Sequence, residues 1–369
     1  MAQKIGIITY HFTINYGASL QAYALSNFLQ KHGYDVEFID YRPKSIVWEQ
    51  KKFLYPKRCL LNPSLILEST KKIITMNTFV EKHIKLSQKR FDNSKSLKEH
   101  KHAYDIVICG SDEIWNVNYG NRGLDTPYFL DFISGKDARK VSYAPSFGST
   151  KTLGLHKEEI FNLLKDFQAI SVRDNNSLSL VNQYDLDVPN ITKVVDPTFL
   201  VNYEDIMKIP SGNNKYILVY GFLDQKEAQY VKTLAEKERL DIISIGSRQI
   251  HLKPFLNLNL FDVSPEYWLG YFYKASFVAT KFFHGLVFSL IFNKPFLVFS
   301  HPEKTVKVKD ILDPLYLGNR LLNLGEASNL QMQSNHNDLL SPPLTDSQEI
   351  YLNKQIEISK DYLLNKALK

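Results

Sequence analysis

Residues 276–299 read SFVATKFFHGLVFSLIFNKPFLVF, and the fold is decided by how this stretch is parsed. Its two ends, SFVAT and PFLVF, are short apolar runs bounded by turn residues, the pattern of buried strands. Between them Phe283, Leu286, Val287, Leu290 and Ile291 recur at helical spacing, in a segment that opens at His284-Gly285. Strand, turn, helix and strand make one βαβ unit, which requires a parallel sheet. His284 falls where the first strand ends and the helix begins. In open α/β sheets ligands bind outside the carboxyl ends of the strands, and a helix N-terminus there favours an anion. His284 is the first candidate residue.

The same alternation extends outward. KIGIITY (4–10) predicts a strand, 18–32 a helix stopped by Gly33, and VEFID (36–40) a second strand. The crossover loop HFTINYG has one glycine and lacks the dinucleotide fingerprint. It offers His11, Asn15 and Tyr16 for hydrogen bonds to a hydroxylated ligand, or a simple tight turn at Asn15-Tyr16-Gly17. DIVICGSDEIWN (105–116) predicts a strand ending at Gly110-Ser111-Asp112. Trp115 beside these polar groups suits a sugar platform, or alternatively packs under a loop whose Asp112 caps a helix. KVSYAPSFG (140–148) and AISVRD (169–174) read as further strands, and in KVVDPTFL (193–200) Asp196-Pro197 ends a strand and turns out of the first domain. Arg173 ends the second of these, either as a surface ion pair or as a bidentate clamp for carboxylate or phosphate. After the turn cluster at 211–214, KYILVYGF, a helix near 225–239 and DIISIG begin a second set. Ser264-Pro265 starts a helix before the opening stretch. Helices near 306–316 and 347–366 complete the chain. The pattern predicts two doubly wound α/β domains facing a cleft, residues 1–200 and 201–346, with the helix of 347–369 packing back on the first.

Composition narrows the function classes. Two cysteines, Cys59 and Cys109, exclude a disulfide framework or a cysteine metal site and fit a reducing compartment. No secretory signal and no transmembrane run of about 20 apolar residues is seen, so a cytoplasmic protein is expected. Residues 44–101 hold 14 Lys and Arg against 5 Asp and Glu, while the rest of the chain holds 31 against 34. Trp48, Phe53, Leu54 and Tyr55 accompany that basic segment. Basic plus apolar composition suits peripheral contact with an anionic membrane at its inner face or a lipid-linked diphosphate, or else a solvated set of helices. Nucleic acid is not expected, because no nucleic-acid motif accompanies the charge.

The candidates at strand ends are Asn15, Ser111, Asp112, Arg173 and His284, with Lys281 near the last. No metalloprotease, Walker A, nucleophile-elbow or nucleotide motif occurs, and a metal site is unsupported. An Arg and a His suited to an anion, with polar residues suited to a sugar, point to a transferase with an anionic donor.

These segments also carry a resemblance. GIITYHFTINYGASLQAYAL, ICGSDEIWN, SYAPSFG, ISVRD, VVDPTFL, YILVYGF and SPEYWLGYFYKASFVATKFFHGLVFSLIFNKPFLVF, in this order and spacing, resemble the polysaccharide pyruvyl transferase family over most of the chain. The resemblance implies a GT-B-like fold of two Rossmann-like domains. It implies phosphoenolpyruvate as co-substrate, a pyruvate ketal installed on a sugar of a bacterial surface or capsular polysaccharide, and no metal or nucleotide cofactor. The acceptor it implies is galactose-containing and lipid-diphosphate-linked. By the same resemblance Arg173 and His284 are catalytic. Arg173, Lys281, His284 and Gly285 would bind the donor, and Asn15, Tyr16, Ser111, Asp112 and Trp115 the acceptor. The chain departs from the family before the histidine: where many members carry T-D-S-F-H-G or an Arg two positions earlier, it has Lys281 and Phe282. That leaves open whether Lys281 replaces a cation. The competing expectations are a GT-B glycosyltransferase with a nucleotide-sugar donor, a non-catalytic sugar- or lipid-binding member, and, for His284, a satisfied structural histidine.

Overall fold

The computed structural model describes residues 2–118, 123–183, 186–301, 305–325 and 336–369, with the side chains of all of these except residues 58, 336 and 337. The chain divides into two compact units. The first is Met1–Ser69, Met76–Val201 and Asn353–Lys369; the second is Thr70–Thr75 and Asn202–Leu352.

In the first unit the elements run β1 (Lys4–Ile8), α1 (Tyr16–Lys31), β2 (Asp35–Tyr41), α2 (Lys44–Leu54), α3 (Pro63–His83, of which Thr70–Thr75 belongs to the second unit), β3 (Leu86–Phe91), α4 (Ser94–Lys98), β4 (Ile106–Cys109), β5 (Arg139–Ser142), α5 (Lys157–Leu164), β6 (Ser171–Val172), α6 (Asn175–Val181) and β7 (Thr192–Lys193). Five strands form a parallel sheet in the order β3-β2-β1-β4-β5, and β6 pairs with β7. The adjoining inner strands β1 and β4 are covered on both faces. Ile5, Ile7 and Ile8 of β1 and Val107, Ile108 and Cys109 of β4 are fully buried, as expected where helices flank a parallel sheet. In register, Ile5 faces Ile106 and Ile8 faces Cys109. The carboxyl ends of β1 and β4 are therefore level. The end of the chain returns to this unit. Tyr362 Oη donates to the Ser142 carbonyl at 2.9 Å, and Arg139 Nε donates to the Ala367 carbonyl at 2.6 Å.

The second unit contains β8 (Tyr216–Tyr220), α7 (Gln225–Glu238), β9 (Asp241–Ile245), β10 (Leu258–Leu260), α8 (Pro265–Lys274), β11 (Phe277–Thr280), α9 (Phe283–Ile291), β12 (Phe296–Phe299) and β13 (Leu321–Leu322). Its parallel sheet has the order β10-β9-β8-β11-β12-β13. The opening stretch folds as read: β11, α9 and β12 are one βαβ unit, and Thr280 stands opposite Tyr220 of β8 and Val298 of β12. Strand order reverses between β8 and β11, so the carboxyl ends there form the topological switch point at which such sheets bind ligands.

Three expected strands are cut short, 169–174 among them, which forms a ladder only over Ser171–Val172. Of 193–200 only the first residue is extended in a sheet, and Pro197–Leu200 is a 3₁₀ turn capped by Asp196, whose Oδ1 accepts from Thr198 N at 3.1 Å. Pro197 has no N–H with which to continue a ladder. Of 140–148 the ladder stops at Ser142, because Ala144 takes a left-handed φ of 59°.

Gly270 lies in α8 where the helix crosses an adjacent loop, and a Cβ there would sit 2.0 Å from the Lys208 carbonyl oxygen. A helical Gly→Ala change ordinarily gains about 1 kcal/mol. Gly270→Ala is expected to do the reverse, losing about 1–3 kcal/mol through overpacking, and a lowered urea midpoint checks it.

Candidate functional site

At the sheet edge of the first unit the loops after β1, β4 and β5 are tied to one another. Thr9 Oγ1 donates to the Ser111 carbonyl at 2.5 Å, and Ser111 Oγ donates to the Ala144 carbonyl at 3.0 Å. Ser146 N donates to the Asp112 carbonyl at 2.9 Å. Asp112 has φ 87° and Ala144 φ 59°. Left-handed backbone at a residue with a Cβ costs about 1–2 kcal/mol and persists where the surroundings impose it. Here adjoining loops impose it at two neighbouring positions.

Arg173 follows β6 and is buried. Its Nη1 donates to Asp196 Oδ2 at 2.8 Å, and its Nη2 lies 3.7 Å from Asp112 Oδ1. Burial opposes the charge, but Asp196 and Asp112 outweigh it and hold the guanidinium's pKa above its usual value. The next residue, Asp174, caps α6 and accepts from Ser146 Oγ at 2.5 Å. Asp112 is partly exposed, so the edge presents one carboxylate beside a permanently charged arginine.

At the edge of the second unit, Thr280 ends β11. Its Oγ1 donates to the Tyr220 carbonyl at 2.7 Å and accepts from Phe282 N at 3.0 Å. His284 is the second residue of α9 and is 6% exposed. Gly285 is required behind it, because a Cβ would fall 2.0 Å from Thr280 Oγ1. Lys281 Nζ lies 2.8 Å from Glu227 Oε2, and Glu227 also closes the capping box of α7 by accepting from Asp224 N. One strand further, Lys72 Nζ donates to the Gly246 carbonyl at 2.7 Å beyond β9 and stands 4.5 Å from the Phe261 ring centroid, over which Arg248 lies at 3.9 Å. Burial, with Arg248 nearby, lowers Lys72 to a pKa of about 7. Gln249 Nε2 donates to the Gly221 carbonyl at 2.6 Å.

Several sequence-derived roles are corrected. Trp115 is fully buried, stacked on Phe129 at 5.1 Å with Nε1 donating to the Tyr128 carbonyl, so it is a core residue and not a sugar platform. Ser111 is fully buried with its hydroxyl engaged as above, and Tyr16 is 1% exposed as the first residue of α1. His11 is also buried, its Nε2 donating to Asp40 at 3.0 Å. Burial lowers its pKa despite that carboxylate. For Asp40 burial acts upward, but hydrogen bonds from His11, Arg90 and Arg42 win and hold it well below the usual range. Asn15 caps α1 through Gly17 N at 3.0 Å and is exposed, so of the acceptor set only Asn15 and Asp112 meet solvent. The Gly285 N–H donates to the Phe282 carbonyl at 2.9 Å, closing the first turn instead of facing a ligand. Lys281 is paired with Glu227 at 2.8 Å, so its charge is compensated within the second unit. The sequence reading missed Asp196, Glu227 and Lys72. D-P-T after a strand is a detectable cap signal for the first, whereas the other two meet their partners only through tertiary packing.

The profile of the polysaccharide pyruvyl transferase family matches residues 15–303. No curated protein matches the sequence. Among solved structures, a UDP-N-acetylglucosamine 2-epimerase is 10% identical, covering 98% of this chain and 95% of its own, with a TM-score of 0.53. MnaA of S. aureus with UDP is 12% identical, covering 100% and 98%, with a TM-score of 0.53. Arabidopsis thaliana UGT89C1 with UDP-L-rhamnose is 11% identical, covering 99% and 95%, with a TM-score of 0.53. At these identities the likeness shows the fold alone, which is GT-B, built of two Rossmann-like units.

Two measurements test the electrostatics. Glu227→Gln leaves Lys281 half-buried beside a neutral partner and is expected to cost about 3 kcal/mol. Adding Lys281→Met is expected to recover most of it in a double-mutant cycle. Lys72, with its pKa below that of an unfolded lysine, binds its proton less well in the folded state. Stability then rises with pH from about 7 to 10 and falls as pH drops through that window. Relative to Lys72→Met, the wild type is expected to gain about 1.4 kcal/mol per pH unit there, read from urea midpoints.

Proposed function

The chain belongs to the polysaccharide pyruvyl transferase family, and we propose that it moves the pyruvyl group of phosphoenolpyruvate onto two hydroxyls of a sugar. The acceptor in this reading is a galactose-containing, lipid-diphosphate-linked precursor of a bacterial surface or capsular polysaccharide. The observation that carries it is that the family match spans both Arg173 and His284, each at the carboxyl end of a parallel strand in its own unit.

His284 has the chemistry for the acid. Imidazole exchanges a proton near neutral pH. Protonating the methylene carbon of phosphoenolpyruvate leaves an oxocarbenium-like carbon that a sugar hydroxyl attacks. The phosphate then departs with its electron pair, and the second hydroxyl attacks the same carbon to close the ketal. One hydroxyl proton makes good the proton now in the new methyl group, and the other leaves with the phosphate. Arg173 has the chemistry for a donor anion, because Asp196 orients its guanidinium while the charge stays permanent. Asp112, beside it and partly exposed, suits the acceptance of a hydroxyl proton.

Incubation with phosphoenolpyruvate and lipid-linked galactosides is expected to release phosphate and add a pyruvyl ketal to the glycan, followed by mass spectrometry. His284→Ala and Arg173→Lys are each expected to lower kcat/KM by about 10²–10⁴-fold, with circular dichroism establishing that both variants are folded. Full activity in His284→Ala would refute the role given to the imidazole. Consumption of a nucleotide sugar with phosphoenolpyruvate ignored would establish the glycosyltransferase reading instead.

A further inference from the structure

Residues 44–67 contain five basic side chains, Lys44, Lys51, Lys52, Lys57 and Arg58, against Glu49 alone. Nothing in the donor or acceptor chemistry uses them. The structure shows how the segment that carries them is anchored. Helix α2 seats itself through Ile46 and Leu54, 2% and 1% exposed, and turns Trp48 and Phe53 outward at 66% and 50%. Lys51 and Lys52 are exposed one turn beyond Trp48, at the i+3 and i+4 positions of the same face. The 3₁₀ turn Lys57–Leu61 is anchored by Cys59, fully buried with Sγ donating to the Leu54 carbonyl, and it exposes Leu60 at 75% and Leu61 at 91%. The start of α3 is anchored to that same carbonyl by Ser69 Oγ at 2.6 Å and exposes Leu67 at 56%.

Three consecutive segments thus converge on one buried carbonyl and turn their apolar side chains outward. Exposed leucines arise singly on many surfaces, but six large apolar side chains exposed within twenty residues, Trp48, Phe53, Leu60, Leu61, Ile66 and Leu67, are unusual for a protein that meets only water. Its lysines decide the occupant. A protein interface of this kind loses charge at its centre. An anionic bilayer rewards the opposite arrangement, leucine and tryptophan entering the headgroup region while lysines beside them stay at the phosphate level. Among the described residues no helix is long and apolar enough to cross a membrane, so contact of this kind is peripheral. We propose that residues 44–67 form a docking surface for an anionic lipid bilayer, with Trp48, Phe53, Leu60 and Leu61 inserting and Lys51, Lys52 and Lys57 meeting headgroup phosphates. This rests on surface chemistry and stands whether or not the pyruvyl transfer above is correct.

Vesicle flotation of the full chain tests it. Binding is expected to vesicles of phosphatidylcholine with a third phosphatidylglycerol, and to be far weaker with phosphatidylcholine alone or in 0.5 M NaCl, where the Debye length is about threefold shorter than at 0.05 M. Lys51→Gln with Lys52→Gln is expected to cut partitioning roughly fivefold per charge removed. Leu60→Ser with Leu61→Ser is expected to cut it more than tenfold at unchanged charge; circular dichroism and the urea midpoint establish that both variants are folded. Equal binding to neutral and anionic vesicles, or wild-type binding by folded Leu60→Ser/Leu61→Ser, overturns the proposal. So does loss of self-association in that variant without any vesicle binding by the wild type, which would make the patch a contact between copies of the chain.

Discussion

One hydroxyl sets up the edge of the second unit. Thr280 Oγ1 gives its proton to the Tyr220 carbonyl and takes one from Phe282 N, closing β11 against β8 and turning the chain into α9 within two residues. The helix can begin that tightly only because Gly285 has no Cβ to strike Thr280. His284 sits between these two constraints, at the reversal of strand order. Its address is therefore a consequence of how β11 ends.

The first unit reaches a comparable edge by different means. Loops after β1, β4 and β5 exchange short backbone and hydroxyl hydrogen bonds, and Asp112 and Ala144 accept left-handed backbone as a result. Arg173 is oriented from behind by Asp196, with Asp112 in front. A buried guanidinium so paired is a poor source of stability, since the desolvation cost offsets much of the attraction. Such pairs are better understood as fixing the direction in which the remaining donors and the neighbouring carboxylate point.

Charge is handled differently at the two edges and on the surface. Lys281 is cancelled by Glu227, and Lys72 is driven toward neutrality by burial. Arg173 keeps its charge. Lys51, Lys52 and Lys57 remain in solvent beside exposed leucines. Counting lysines and arginines does not separate these cases, because what differs is the carboxylate or the water each one meets.

How much was legible follows from the range of each interaction. Periodicity, turn residues and caps are local, so the sequence alone determined two sets of parallel α/β units, the βαβ unit at 276–299, the helix start at Ser264-Pro265 and the address of His284. The motifs also carried the family. Tertiary structure alone decided burial and partnership. Trp115, Ser111 and Tyr16 lie beside polar residues in the chain, yet they point into the core because the parallel strands they follow or lead into are covered on both faces. The charge of Lys281 was decided by Glu227, 54 residues away, and that of Lys72 by burial in the packed fold with Arg248 nearby, where its ammonium meets a carbonyl 174 residues away. No window of sequence holds both members of such a pair; only the packed fold brings them within hydrogen-bonding reach.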